Sequence, residues 1–141
     1  MTRIERGELI LQKYRYDEIN PQVEGTPVEF FLTGSPDASN NRISLPYVEM
    51  EWAPGGGVSI GIDTTTFKYK GMLSFYIFMP EGLNPISARS VAATIEEATT
   101  HRTKDYPEGT VTFGASRTMP SRTVANSRMT VFEVETCLLL R

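Results

Sequence analysis

The segment of residues 66–102 constrains the fold most, because it pairs a long amphipathic strand with a capped amphipathic helix. Between residues 67 and 79 the odd positions are nearly all apolar, while lysines and a serine occupy even positions. This alternation predicts a strand with one buried face. Asn84 suits the N-cap of a helix, where it can accept hydrogen bonds from free amides, and Pro85 suits the first turn. Apolar residues then recur in that helix at helical spacing. They are Ala88, Val91, Ala92, Ile95 and Ala98. The segment therefore predicts a sheet with a helix packed on it.

The rest of the chain predicts further strands and one more helix. Thr2 and Glu5 have the spacing of a capping box, so we expect a first helix over residues 3–17 that ends before Pro21. Gly7 weakens that helix by about 1 kcal/mol relative to alanine. Short strands are predicted at residues 27–33, 46–53, 58–63, 110–115 and 129–140, and loops or turns at 34–45, 54–57, 80–82, 105–109 and 116–127.

This element order predicts the fold class. Strands and helices do not alternate regularly, and sequential strands joined by turns favour antiparallel pairing. We therefore expect an α+β fold: a mostly antiparallel or mixed sheet of about five strands, one long helix packed on it and an N-terminal helix. With 141 residues, the chain is predicted to form a single domain over residues 1–141.

Composition excludes several classes of function. The net charge of -3 and the pI near 5.2 argue against a surface built chiefly to bind phosphate backbones. The sequence contains no run of about 18 apolar residues, so we expect no membrane span. The N-terminal charges are followed by no apolar segment typical of a secretory signal. Cys137 is the single cysteine, which excludes an internal disulfide and a zinc site built from cysteines, and a reducing cytoplasm is expected.

Candidate catalytic residues each have a structural explanation. His101, the single histidine, falls at the predicted C-terminal end of the long helix, where a partial positive charge complements the exposed carbonyls. Cys137 lies among leucines and suits a small buried residue. Glu96 and Glu97 are adjacent on the helix, so their side chains point about 100° apart towards solvent. We therefore expect a protein that is not an enzyme, without catalytic, cofactor-binding or metal-binding residues.

Three arginines bracket the polar segment 116–127, namely Arg117, Arg122 and Arg128. In one interpretation they contact nucleic acid or an acidic partner; in the other they are solvated charges of a hairpin. Aromatic residues also fall on faces opposite those assigned to the core, which favours self-association. These residues are Tyr14, Tyr16, Phe31, Tyr47, Tyr76 and Phe78.

Several segments resemble the tail terminator, or tail completion, proteins of long-tailed bacteriophages. They are KGMLSFYIFMPEG at residues 70–82, ARSVAATI at 88–95, VTFG at 111–114 and the closing strand at 129–140. Proteins of that family also begin with a helix, pass through strands into a long strand with a Pro/Gly turn, carry one helix across the sheet and finish on a hairpin. The element order matches over nearly the whole chain, and the residue-level resemblance covers residues 66–140.

The resemblance implies a virion structural protein that forms a ring, a homohexamer, at the head-proximal end of the tail. The ring would cap the tail tube, end its polymerisation and provide the surface for head attachment. Implied partners are other copies of the chain, the tail tube protein and a head–tail connector or neck protein. DNA would pass through without sequence-specific binding, and neither a cofactor nor a membrane is involved. Assembly would take place in the host cytoplasm.

The charges of Arg117, Arg122 and Arg128 make them candidate contacts with a partner or with the ring lumen. Three alternatives to a tail terminator remain open at this point. They are another ring of the head-to-tail junction, a tail tube subunit, and a small-ligand binding module that uses a cleft between sheet and helix.

Overall fold

The computed structural model describes residues 1–23, 29–32, 46–60, 66–80, 85–124 and 127–141. Its helical segments are α1 (Arg3–Tyr14), a π-helical turn (Arg15–Ile19), α2 (Asn20–Val23) and α3 (Pro85–Thr99). Its strands are β1 (Glu29–Leu32), β2 (Tyr47–Ile60), β3 (Thr66–Pro80), β4 (Thr103–Tyr106), β5 (Gly109–Thr118), β6 (Arg122–Val124) and β7 (Ser127–Leu140). The predicted loop at 34–45, the cap at Asn84 and the turn after Pro80 lie outside the described residues.

The strands form one mixed sheet in the order β1-β2-β3-β7-β5-β4, with β6 paired to β7. The β1–β2 pair is parallel and the other pairs are antiparallel. The predicted α+β class and mostly antiparallel sheet are thus confirmed. The expected number of about five strands is wrong, because the described part of the sheet has seven. The additional strands β4 and β6 are short and polar, so apolar alternation could not reveal them.

Helix α1 begins at the predicted capping box. The Thr2 hydroxyl accepts a hydrogen bond from the Glu5 amide at 3.1 Å, and the Glu5 carboxylate accepts one from the Thr2 amide at 2.7 Å. The predicted end before Pro21 is wrong, because the helical path continues through the π-helical turn into α2. Pro21 has no backbone N–H to continue a regular ladder, and it lies just after the π-helical turn, where the regular α-helical ladder is already interrupted.

Strand β2 runs without a break through the glycine-rich run that the sequence predicts as a turn. Its register with β3 shifts between Pro54 and Gly57, so the run forms a bulge inside a 14-residue strand. A Cβ at Gly55 would lie 2.5 Å from the Lys70 carbonyl oxygen, which only glycine avoids. A Cβ at Gly57 would lie 2.5 Å from the Tyr69 ring, whereas Gly56 has no atom within 4 Å of such a Cβ. The predicted flexible turn is therefore wrong, because the run belongs to a strand in which close contacts explain Gly55 and Gly57.

The core lies between one face of the sheet and helices α1 and α3. The predicted apolar stripe of α3 is buried, and so are the odd positions 69, 73, 75, 77 and 79 of β3. Gly7 of α1 lies against the ring of Trp52 on β2 and against Leu138 on β7. Both predicted apolar faces, of β3 and of α3, are thus confirmed as parts of one core.

Tyr14 belongs to this core, so its predicted outward position is wrong. The ring lies 4.8 Å from that of Phe113, and the hydroxyl donates to the Ala98 carbonyl at the end of α3. Burial, with the nearby Glu18 carboxylate, raises the pKa of Tyr14 to about 12. The side chain thereby ties α1 to α3 near the helix ends.

Helix α3 ends at Thr99, and the chain reverses at His101, whose φ of 57° is left-handed. The His101 amide donates to the Gly114 carbonyl at 3.2 Å, and its side chain is exposed. The predicted position of His101 at the helix end is thus confirmed. The turn predicted at 105–109 is shorter in the structure, because residues 105 and 106 belong to β4 and pair with β5.

Candidate assembly surfaces

The side of the sheet opposite α1 and α3 is called the helix-free face, because no described helix packs on it. It carries mainly half-buried and exposed residues, and Ser74 and Met129 are its buried exceptions. Along β7 the residues at positions 130, 132, 134, 136, 138 and 140 are buried, and those at 131, 133, 135, 137 and 139 are not. The same alternation holds for residues 47–52 of β2 and 73–79 of β3 with few departures. Cross-strand pairing collects the outward positions on one surface. They include Tyr47, Glu49, Glu51, Lys70, Met72, Tyr76, Phe78, Val131, Glu133, Glu135, Cys137 and Leu139.

The helix-free face combines aromatic and acidic groups. The rings of Tyr47 and Phe78 stack with their centroids 4.8 Å apart and 18° between their planes. Partial burial and the neighbouring Glu51 carboxylate raise the pKa of Glu49. Burial and Glu49 in turn raise the pKa of Tyr47. The Glu49 carboxylate is therefore already partly desolvated, and a partner that covered it would increase the cost of its charged form.

Two of the three candidate arginines share this face. Arg117 lies opposite Glu133, and its Nε and Nη2 atoms both lie 3.1 Å from Glu133 Oε2. Arg122 lies opposite Met129. Since directly opposed residues of an antiparallel pair lie on the same side, both arginines belong to the face of Glu133 and Met129.

Arg128 lies opposite Thr123 and Met79, so it belongs to the other side of the sheet. All three arginines are exposed. The prediction that they bracket a flexible loop is wrong in part, because residues 116–118 belong to β5 and 122–124 form β6. Residues 116–118 and 122–124 form strands because their backbones pair with β7, although their side chains show no apolar alternation.

Two shallow grooves of about 420 Å³ accompany these surfaces. One lies between α3 and the segment that joins β5 to β6, where Arg89, Glu96 and Met119 line it. The other lies on the helix-free face and includes Lys70 and Cys137. Cys137 is half-buried, so the prediction of a buried cysteine is wrong: its odd position on β7 turns it away from the core. His101 lines neither groove.

The sequence interpretation missed the ties between the N-terminal helices and the β4–β5 hairpin. Lys13 pairs with Glu108, and Lys104 Nζ lies 3.0 Å from Glu18 Oε1. The hydrogen bond from Lys13 lowers the pKa of Glu108. Arg15, in the π-helical turn, is 6% exposed, and its guanidinium lies 4.7 Å from the Tyr16 ring centroid. No sequence pattern signals these contacts, because each joins positions far apart in the chain or depends on the irregular helical turn.

Within the described ranges, no group of three or more histidine, cysteine, aspartate or glutamate residues is arranged to hold a metal ion. No helix in that part of the chain is long and apolar enough to cross a membrane.

Comparison with known proteins adds the fold relationship. No family model matches the sequence, and no curated protein matches it. Among solved structures, one chain that carries only an identifier superposes with a TM-score of 0.66 at 15% identity, over 94% of both chains. A chain described as "Virion of native gene transfer agent (GTA) particle" superposes with a TM-score of 0.56 at 15% identity, over 92% of this chain and 91% of that one. The protein is similar in fold to both. At this identity the likeness establishes the fold alone.

Proposed function

We propose that this chain is a structural protein of a phage-like virion that forms a homohexameric ring on the tail tube. The ring ends tail polymerisation and provides the surface to which the head attaches. The observation that carries the proposal is the fold shared, over nine-tenths of both chains, with a chain of a gene transfer agent virion. The resemblance of residues 66–140 to tail terminator proteins supports the ring role in particular.

The helix-free face supports an assembly role on physical grounds. Its stacked aromatic pair and half-buried apolar side chains form a surface on which no helix of the described residues packs. In a ring, such a face meets a neighbouring subunit, the tail tube protein, a connector or neck protein, or the lumen through which DNA passes.

Arg117, Arg122 and Arg128 are proposed contacts with a partner or the lumen. All three are exposed, and Arg117 alone among them has an ion pair with a described residue. Their replacement together by alanine should reduce tail joining and infectivity while leaving the melting temperature nearly unchanged, since exposed charges add little stability. Arg102→Ala, which removes an exposed arginine that lines neither groove, is the matched control. Unaltered tail joining in the triple variant would refute the assignment.

Negative-stain electron microscopy tests the function itself. The purified protein is imaged at high concentration, alone and mixed with its tail tubes. Closed rings, or a cap at one end of the tube, support the proposal. Long self-assembled tubes would instead indicate a tail tube subunit. Monomers in both samples contradict any ring and return the small-ligand binding module as the better hypothesis.

A further inference from the structure

Each edge of the sheet is covered over part of its length. On one edge, β1 pairs with residues 47–50 of β2, and no other described strand pairs with β2 on that side. Residues 55–60 of β2 are all exposed, including Val58 at 62% and Ile60 at 40%. On the other edge, β4 pairs with residues 109–112 of β5, and no described strand pairs with the outer side of the end of β5 or of β6. Each edge therefore has a protruding strand and a recess.

The register across the sheet places the protruding strand of one edge and the recess of the other edge at the same height along the strand direction. Asp105 of β4 pairs with Thr110, and the ladder continues through Leu139 and Lys68 to Val58 in the β2 recess. The protruding β4 is thus level with the recess on the opposite edge.

The same holds at the other end of the sheet. Glu29 of β1 pairs with Tyr47, and the ladder continues through Phe78 and Met129 to Arg122 in the β6 recess. The protrusion of one edge would therefore fit the recess of the other edge if a second copy stood beside the first.

We propose that neighbouring copies join edge to edge through two strand pairs. Strand β4 of the first copy lies along Gly57–Ile60 of the second copy, and β6 of the first copy lies along β1 of the second copy. Unpaired N–H and C=O groups of an exposed edge are ready to pair with another strand. Four antiparallel pairings separate β2 from β4, so these two strands run in the same direction and the added β2–β4 pair is parallel. Strand β1 runs parallel to β2 and β6 runs antiparallel to β7, so the β1–β6 pair is antiparallel. The inference rests on the proposed ring, because two unlike edges make a head-to-tail contact, and such a contact gives a ring when the rotation between copies closes.

Length and charge favour a second copy over another partner. Strand β4 has four residues, and the recess beyond the β2 bulge also has four, Gly57–Ile60. That recess has no charged residue, although edges that avoid pairing usually carry charges. At the other contact β1 begins with Glu29, and the position of the neighbouring copy at the same register is Arg122, so the pairing places residues of opposite charge opposite each other in the sequence register.

A charge exchange tests the β1–β6 contact. Glu29→Arg and Arg122→Glu should each reduce the fraction of ring seen by sedimentation velocity at least tenfold, in the presence of tail tubes if the rings need them. The double variant should restore the ring, because the charges are again opposite. Loss of rings in both single variants without restoration in the double variant would contradict the pairing.

Disulfide trapping tests the β2–β4 contact independently. In a Cys137→Ser background, Val58→Cys with Asp105→Cys should give disulfide-linked multimers on mild oxidation, and neither single cysteine should give more than dimers. Val58→Lys should abolish ring formation, and Ser90→Lys on the exposed side of α3 should not.

The combined results separate the two proposals. If rings form while the exchange has no effect and no disulfide ladder appears, the edge contact is wrong and the ring function stands. If no ring or cap forms with unaltered protein and tubes, both are wrong. A disulfide to the tail tube protein in place of a second copy would also overturn the edge contact.

Discussion

The substitution Gly7→Ala sets helix propensity against packing. Alanine in the middle of α1 should gain about 1 kcal/mol over glycine. However, a Cβ at Gly7 would lie 2.7 Å from Trp52 Cη2, 2.8 Å from Trp52 Cζ3 and 3.0 Å from Leu138 Cδ1. Overpacking of this kind costs about 1–3 kcal/mol, because the Trp52 ring is held in the core. We therefore expect a net loss of about 1 kcal/mol of unfolding free energy.

For a chain of 141 residues, about 1 kcal/mol corresponds to a drop of about 3 °C in melting temperature. Thermal and urea unfolding measure it. Gly56→Ala is the control, because no atom lies within 4 Å of a Cβ there, and it should not lower the melting temperature. In a Trp52→Phe background, which removes the second ring, Gly7→Ala should become neutral or stabilising. Stabilisation by Gly7→Ala in the unaltered background would refute the packing argument.

Three further predictions concern hydrogen bonds and charge. Tyr14→Phe removes the hydroxyl that donates to the Ala98 carbonyl, so urea unfolding should show a loss of about 1–2 kcal/mol; no loss would mean that water replaces the bond. Thr2→Ala breaks the capping box and should cost about 1 kcal/mol by the same assay, with Thr2→Ser close to the parent. Because burial and then Glu51 raise the pKa of Glu49, the protonated form is favoured in the folded state, and its stabilisation is lost as pH rises through the folded pKa. Glu49→Gln should therefore raise the melting temperature at neutral pH and lose this advantage below the ordinary carboxyl pKa; equal gains at both pH values would contradict the ionisation argument.

The elements that the sequence predicts well are those with one face exposed to solvent and the other buried in the core. Strand β3 and helix α3 alternate between core and surface, so their apolar periods of two and about 3.6 are visible in the sequence. Strand β2 is harder to predict, because its second half is an exposed edge whose glycines resemble a turn. Strand β6 has three exposed residues, and among the described strands it pairs with β7, a backbone contact that leaves no pattern in its side chains.

The candidate site was only partly accessible from the sequence for a related reason. Exposure of Arg117, Arg122 and Arg128 follows from their polar surroundings, but the face each one occupies depends on strand register. A shift of one residue in that register would exchange the faces. The division that places Arg128 apart from the other two therefore required the pairing of β6 with β7.

Strand β7 is paired on both sides and carries two kinds of residue in alternation, so one strand is subject to two separate selective demands. Its even positions form the floor of the core, and its odd positions, from Val131 to Leu139, form the centre of the helix-free face. A change at an even position would disturb the core and reduce the folding yield of the single chain. If the chain assembles as proposed, a change at an odd position would leave the isolated protein folded and still prevent assembly. Compensation would then be found in the gene of whichever protein covers that face.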